Sequence, residues 1–550
     1  MAKEIIISHE SGNTSPRVTA ALHQIVPGEE TVIRFEPGSY RFDPEGTTTK
    51  EVLTAHLTKG PKHVVFELNQ IEKVTIDGNG AEFLFSDRMF PFALWGCRDV
   101  TLKNFTIDFT FPRYCQGEVI ASDEIGFELA IDNTLFKITV DGAGHVHFWS
   151  GSDSFCSTQL PILLGNVVFG KPPWDYVFSG ADSLSRENLP TGYIETDAVA
   201  TAQGVRFNYR KDSRKLVFPL HESLIFCYEP RANINILAAR CKNVRVENVK
   251  IYRGGGMGIV AECTENFTAD GVKIKVRPGR TECRSTTADG MFFTQCSGTV
   301  MVRNCEISET LDDALNIHGF YTMIQTVKDE RTLRIVDGYE DHCGTAPFEA
   351  GDLLVFSDHA TDSTIGQATT EEITVNADGS YTVRFTEPLP KLEPGDFIEN
   401  ETRSADFFFE NNLVFRCPHM RVSDNGKRVI RNNHIEELNS IFVCDLVEFW
   451  RESGAVNDLL IENNDFIHCP RGGESPAVVV TTSRRKTSNI TNHNVRIRNN
   501  HFVISNGRAI QLTRVEGGEV IGNHFSAGSL TELIKLEENT GIDCRNNQLD

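Results

Sequence analysis

A short motif recurs along this chain and restricts its fold more than any other feature. Apolar residues alternate with polar ones, an Asn interrupts, and the alternation resumes. The motif reads Val100-Thr101-Leu102-Lys103-Asn104-Phe105-Thr106-Ile107 and returns as Val244-Arg245-Val246-Glu247-Asn248-Val249-Lys250-Ile251. A shorter copy is Met301-Val302-Arg303-Asn304-Cys305-Glu306-Ile307. Later copies carry Asn432-Asn433, Asn463-Asn464, Asn499-Asn500, Asn523 and Asn546-Asn547. Asn500, Asn523 and Asn547 are spaced by 23 and 24 residues, and Gly271 follows Asn248 by 23. Alternation with period two specifies strands. A repeat of this length without helical spacing specifies a solenoid of short strands. Three strands per coil fit the period, which predicts an all-β, right-handed parallel β-helix. Asn suits the bend because it tolerates left-handed backbone and can form hydrogen-bonded ladders when stacked. The Leu-x-x-Leu-x-Leu frame of the competing leucine-rich solenoid is absent.

Two stretches break the period. Residues 111–230 and 321–405 lack the Asn motif and carry shorter alternations such as Gly204-Val205-Arg206-Phe207-Asn208-Tyr209 and Tyr381-Thr382-Val383-Arg384-Phe385. Both read as antiparallel β, each a small barrel inserted into the solenoid. The expected order is a cap and first coils over 1–110, a barrel over 111–230, and coils carrying the site over 231–320. A second barrel over 321–405 and the last coils over 406–550 complete it. The cap contains a short helix with Pro16 in its first turn, then a strand, a Pro37-Gly38 turn and a strand. The 14 cysteines include no Cys-x-x-Cys pair. Cys97, Cys241, Cys263 and Cys296 each precede a bend by seven or eight residues, so they read as thiols stacked inside the coil.

The net charge of −22 argues against partners that present clustered phosphate, so neither nucleic acid nor an anionic membrane is expected. No window is long and apolar enough for a membrane helix. Reduced thiols and the short apolar start lean towards a cytoplasmic protein, or one exported after removal of a leader.

Against the repeats, two acidic spots stand out. One is Ala288-Asp289-Gly290; the other is Leu311-Asp312-Asp313-Ala314-Leu315-Asn316-Ile317-His318-Gly319. Asp289 and Asp312 are 23 residues apart, one coil of the solenoid. Residues one coil apart sit on neighbouring strands at about 4.8 Å, so Asp289 is expected beside Asp312 or Asp313. Like charges at that distance raise one pKa, which supplies an acid and a base together, as acetal cleavage requires. The same residues also suit plain turns or calcium ligation. In a flat strand Asp312 and Asp313 would face opposite ways, so both reach one cleft only if the chain bends there.

These motifs, with the β-helical pattern around them, resemble glycoside hydrolase family 110, the exo-acting α-1,3-galactosidases that include enzymes acting on the blood group B antigen. The resemblance implies a pectin-lyase-like β-helix with two barrel insertions, and inverting hydrolysis without metal or cofactor. It implies Asp312 as general acid, with Asp289 and Asp313 activating the water. Stacking one rung apart suggests a short carboxylate separation, which ordinarily accompanies retention; the resemblance implies inversion. The sugar-binding candidates are His318, Asn316, Trp450, which could stack on a sugar face, and Arg277 with Arg280 in the loop before Asp289. The expected partner is an α-galactoside, and the resemblance mildly suggests a homodimer. The alternatives are a polygalacturonase-like hydrolase or a lyase on uronate polymers, and a non-catalytic glycan-binding solenoid. Residues 314–321 contain no Arg or Lys to meet a uronate.

Overall fold

The computed structural model describes residues 2–550 except 87–88, 141–145, 151–152, 155–166, 170–195, 210, 212–214, 216, 222, 227–230, 339–346, 362, 446–449, 472–475, 484–491, 506, 529 and 531. Two long parallel sheets carry the repeats. A representative coil runs Asn233–Ala239 in the second sheet, then Lys242–Glu247 and Lys250–Ile251 in the first. The next coil repeats it as Gly256–Glu262, Glu265–Asp270 and Lys273–Ile274. Each strand pairs in parallel with its counterparts one coil away, which makes the molecule a parallel β-helix with three strands per coil. The apolar alternation explains the pairing. Leu102, Val246, Ala269, Val302, Phe409 and Ile430 occupy one register row and are all buried. Burying one such side chain contributes roughly 1.5–3 kcal/mol for the larger ones.

The bend has two tracks. On the outer one the residue adopts positive φ, as at Asn104 (59°), Asn248 (51°), Asn304 (54°) and Asn432 (57°), with Gly271 taking the same place. The inner track is a ladder through Asn412, Asn433, Asn464, Asn500, Asn523 and Asn547. Each side-chain amide donates to the side-chain oxygen of the next at 2.9–3.1 Å. Each of these oxygens also accepts the preceding rung's backbone N–H, so the bend has no buried donor left over at these rungs. Cys97 and Cys241 lie on adjacent rungs inside the coil, and Cys296, Cys305, Cys417 and Cys469 share the same core.

The cap helix spans Ser15–Leu22 with Pro16 in its first turn. Two insertions interrupt the coils. The first leaves after the strand Arg98–Phe109; its described strands form an open six-stranded antiparallel sheet and a separate three-stranded one. Residues 155–166 and 170–195 of the small barrel expected here lie outside the described residues. The second leaves after Leu315–Phe320 and forms a closed six-stranded barrel between Thr322 and Asn400. The first insertion also grips the central coils. Leu311 packs into its core, and the Tyr114 hydroxyl accepts the Arg284 N–H (3.0 Å).

The ladder predicts where the fold is least tolerant. Asn464→Ala removes contacts to Asn433, Ile430 and Asn500 and leaves buried partners unmatched. Denaturant unfolding should show a loss of about 2–4 kcal/mol; a loss below about 0.5 kcal/mol would show that the ladder carries no stability.

Candidate active site

Both acidic spots lie where coils stay in step but the second-sheet strands have not yet begun. Bridges join Gly254 to Thr286 and Thr286 to Thr310, and the strands Met291–Thr294 and Leu315–Phe320 follow. Met291 pairs with Leu315, so the same register places Asp289 beside Asp313. The backbone agrees, because the Gly290 N–H donates to the Asp313 carbonyl (2.9 Å). Gly290 is there for space rather than for a turn. A Cβ on it would meet the Ala314 carbonyl at 2.6 Å and Ile307 at 2.8 Å. The chain bends at Asp312, where Thr310 Oγ1 donates to the Asp312 carbonyl (2.7 Å) and the Asp313 N–H donates to Asp312 Oδ1 (3.1 Å). This bend removes the opposite-face arrangement of a flat strand.

The three carboxyl groups have different surroundings. Asp289 and Asp313 are buried, whereas the Asp312 side chain is 45 % exposed. Burial holds Asp289 protonated well above the usual carboxylate range, Asp312 and Asp313 push it further, and Arg231 opposes them. Burial also pushes Asp313 up, to about 7; the Arg421 guanidinium opposes this, while Asp312 and Glu452 add to it. Arg421 Nε binds Asp313 Oδ2 at 2.8 Å, and Arg231 Nη2 binds Asp312 Oδ2 at 3.0 Å. The arrangement can deliver one proton and accept another within a single cleft.

Aromatic and polar groups surround the trio. The Arg231 guanidinium lies 5.6 Å from the Trp450 ring centre. His56 meets both Trp450 (5.6 Å) and Phe292 (5.5 Å) edge to face, and Phe292 meets His318 (5.1 Å). Asn316 and His318 project from one face of the strand that follows Asp313, and Asn316 Nδ2 donates to Glu452 Oε1 (3.2 Å). Five residues singled out in the sequence, Asp289, Asp312, Asp313, Asn316 and His318, thus gather on two neighbouring coils, and Trp450 joins them through Arg231. Arg277 and Arg280 do not. Both bind the buried carboxylate of Asp108, at 3.0 and 2.8 Å, and Arg277 also pairs with Glu82. A buried carboxylate needs cations, and these two arginines meet that need at Asp108.

Arg231, Arg421, Glu452 and His56 were not apparent in the sequence. The signal for Arg421 was its register with Asn316, visible only once the second insertion is known to loop out. Glu452 arrives on an arm whose Glu452–Ser453 pairs antiparallel with Gly319 and Phe320. No repeat pattern marks such an arm.

Buried acids with raised pKa values cost stability. Between the unfolded carboxylate pKa and the raised folded value, the folded chain binds more protons than the unfolded one, so stability falls as pH rises through that window. Asp289→Asn should therefore stabilise the protein at pH 7.5. The gain should vanish near pH 4. Melting curves at both pH values check it; equal stability of parent and variant at pH 7.5 would contradict the burial effect.

Three curated relatives align with most of the chain. Alpha-1,3-galactosidase A of Shewanella woodyi is 26% identical over 517 residues, covering 92% of this chain and 82% of the relative. Alpha-1,3-galactosidase B of Bacteroides thetaiotaomicron is 28% identical over 461 residues, covering 82% and 73%. Alpha-1,3-galactosidase B of Phocaeicola vulgatus is 29% identical over 489 residues, covering 84% and 76%. No family model matches the chain. Among solved structures, the family 28 exopolygalacturonase of Yersinia enterocolitica aligns with a TM-score of 0.42 at 10% identity, over 99% of this chain and 79% of that one. The exopolygalacturonase of Thermotoga maritima gives 0.35 at 12% identity, over 98% and 92%. At such scores the fold rests on the strand pairing described above. Over most of its length the chain is thus similar in sequence to curated alpha-1,3-galactosidases.

Proposed function

We propose that the chain hydrolyses terminal α-1,3-linked galactose from galactosides or blood group B-type glycans, with inversion at the anomeric carbon. The observation that carries this reading is the register of Asp289 beside Asp313, with Asp312 exposed at the adjoining bend. Asp312 faces solvent and donates its proton to the departing glycosidic oxygen. A water held against the Asp289–Asp313 pair attacks the anomeric carbon from the opposite side. Its proton passes to the ionised member of the pair, and galactose leaves as the β-anomer. The names of the curated relatives support the linkage and the sugar.

The charge of the cleft supports a neutral substrate. Asp289, Asp312, Asp313 and Glu452 face two guanidinium groups, those of Arg231 and Arg421. Both arginines, absent from residues 314–321, are bound to aspartates, on Asp312 and Asp313. A uronate carboxylate would enter a cleft already rich in carboxyl groups, with its cations occupied.

Two measurements test the reading. Galactosyl-α-1,3-galactose should release galactose while oligogalacturonate is left intact, and Asp312→Asn should lower kcat by about 10²–10⁴-fold. Uronate release, or full activity in the variant, would overturn it. The pH dependence follows from Asp313. Its ionised form is needed, so kcat/KM should fall as pH drops through about 7. Arg421 favours that ionised form, so Arg421→Met should move the acidic limb to higher pH; an unmoved limb would remove Asp313 from the base role.

A further inference from the structure

Glu452 is a carboxyl group of the cleft that the aspartate mechanism does not use. Its backbone position is enforced: Glu452 and Ser453 pair antiparallel with Phe320 and Gly319, against the parallel grain of the sheet. The residue is 6 % exposed, yet among the described residues no lysine or arginine binds it. Asp312 and Asp313 each have an arginine; Glu452 has the neutral amide of Asn316 at 3.2 Å and the His318 Nε2 at 3.7 Å. A carboxylate kept from water without a cation is costly unless a ligand completes its bonding. Its contact with Asn316, on the strand that follows Asp313, places it on the wall of the same cleft.

The atoms around Glu452 are acceptors too. Asn316 is oriented by Glu452, because only its amide nitrogen can donate to a carboxylate; its Oδ1 is buried with no protein donor. Asp313 Oδ1 is buried likewise. His318 Nδ1 faces the Gly319 carbonyl at 2.7 Å and must donate to it, which fixes the ring beside Glu452. A ligand that settles against this wall has to bring the hydrogens.

We propose that Glu452 is a specificity-determining residue that receives hydrogen bonds from hydroxyls of the terminal sugar, with Asn316 as the residue that positions its carboxylate. This rests on the galactosidase reading and deepens it, since it states the direction of the hydrogen bonds. A hydroxyl replaced by fluorine keeps acceptor character and loses the donor, so it separates a wall that accepts from one that donates. A site built to bind a hydroxyl rejects analogues that leave its buried groups unpaired.

The test is competitive inhibition of the parent enzyme by galactose and by its 2-, 4- and 6-deoxy and deoxyfluoro derivatives, repeated with Glu452→Gln. At one position or more, the deoxy and the fluoro sugars should both bind roughly 10- to 100-fold more weakly than galactose, the loss expected for a hydrogen bond to a charged group. Glu452→Gln, nearly identical in shape, should weaken galactose to a similar degree and narrow the gap at that position. The idea fails if every fluoro sugar binds like galactose, or if the variant binds galactose as the parent does. The analogue series on the parent does not depend on the variant folding. A parent that neither cleaves α-1,3-galactosides nor binds galactose would instead overturn the galactosidase reading, and this inference with it.

Discussion

Every strand of a parallel coil draws its hydrogen bonds from the coil before and the coil after. Residues about one repeat apart in sequence therefore become neighbours in space, at a spacing the backbone sets and the side chains cannot relax. In this chain the Asn ladder at the bend fixes that register over the C-terminal coils, and apolar rows fix it inside. Asp289 and Asp313 meet because of this constraint. Two carboxyl groups that would separate on a flexible loop are kept side by side, and the backbone hydrogen bonds of neighbouring coils oppose their repulsion.

That enforced proximity explains the rest of the site. Two buried acids must share protons, and they titrate as a pair. Arg421 and Arg231 limit the cost by binding Asp313 and Asp312. Both arginines come from segments remote in sequence. Arg231 lies at the return from the first insertion and Arg421 on the coil after the second. The insertions therefore do more than decorate the solenoid. The second leaves from the strand that follows Asp313, and the first packs on Leu311, next to Asp312.

The sequence made the repeats legible because a β-helix writes its period into the chain. The Asn bends, the apolar rows and the spacing from Asp289 to Asp312 could all be read directly. The choice between Asp312 and Asp313 as the stacked partner could not. It depends on a single-residue offset, and the register of Met291 with Leu315 decides it for Asp313. Arg277 and Arg280 looked like cleft residues because they precede Asp289, but the buried Asp108, far back in the chain, holds them. Arg421 and Glu452 were hidden for a related reason. Their closeness to Asp313 and Asn316 crosses an inserted barrel in one case and an arm folding back over two coils in the other. Contacts of that kind leave no period.

Stereochemistry tests the central claim most directly, because a water held between stacked aspartates gives inversion and a bonded aspartate gives retention. Proton NMR over the first seconds of galactosyl-α-1,3-galactose hydrolysis, before mutarotation, reports which anomer appears. β-Galactose first is the result expected from the Asp289–Asp313 pair acting on water. α-Galactose first would mean that one of these carboxylates is a nucleophile, and the roles assigned to the trio would be wrong.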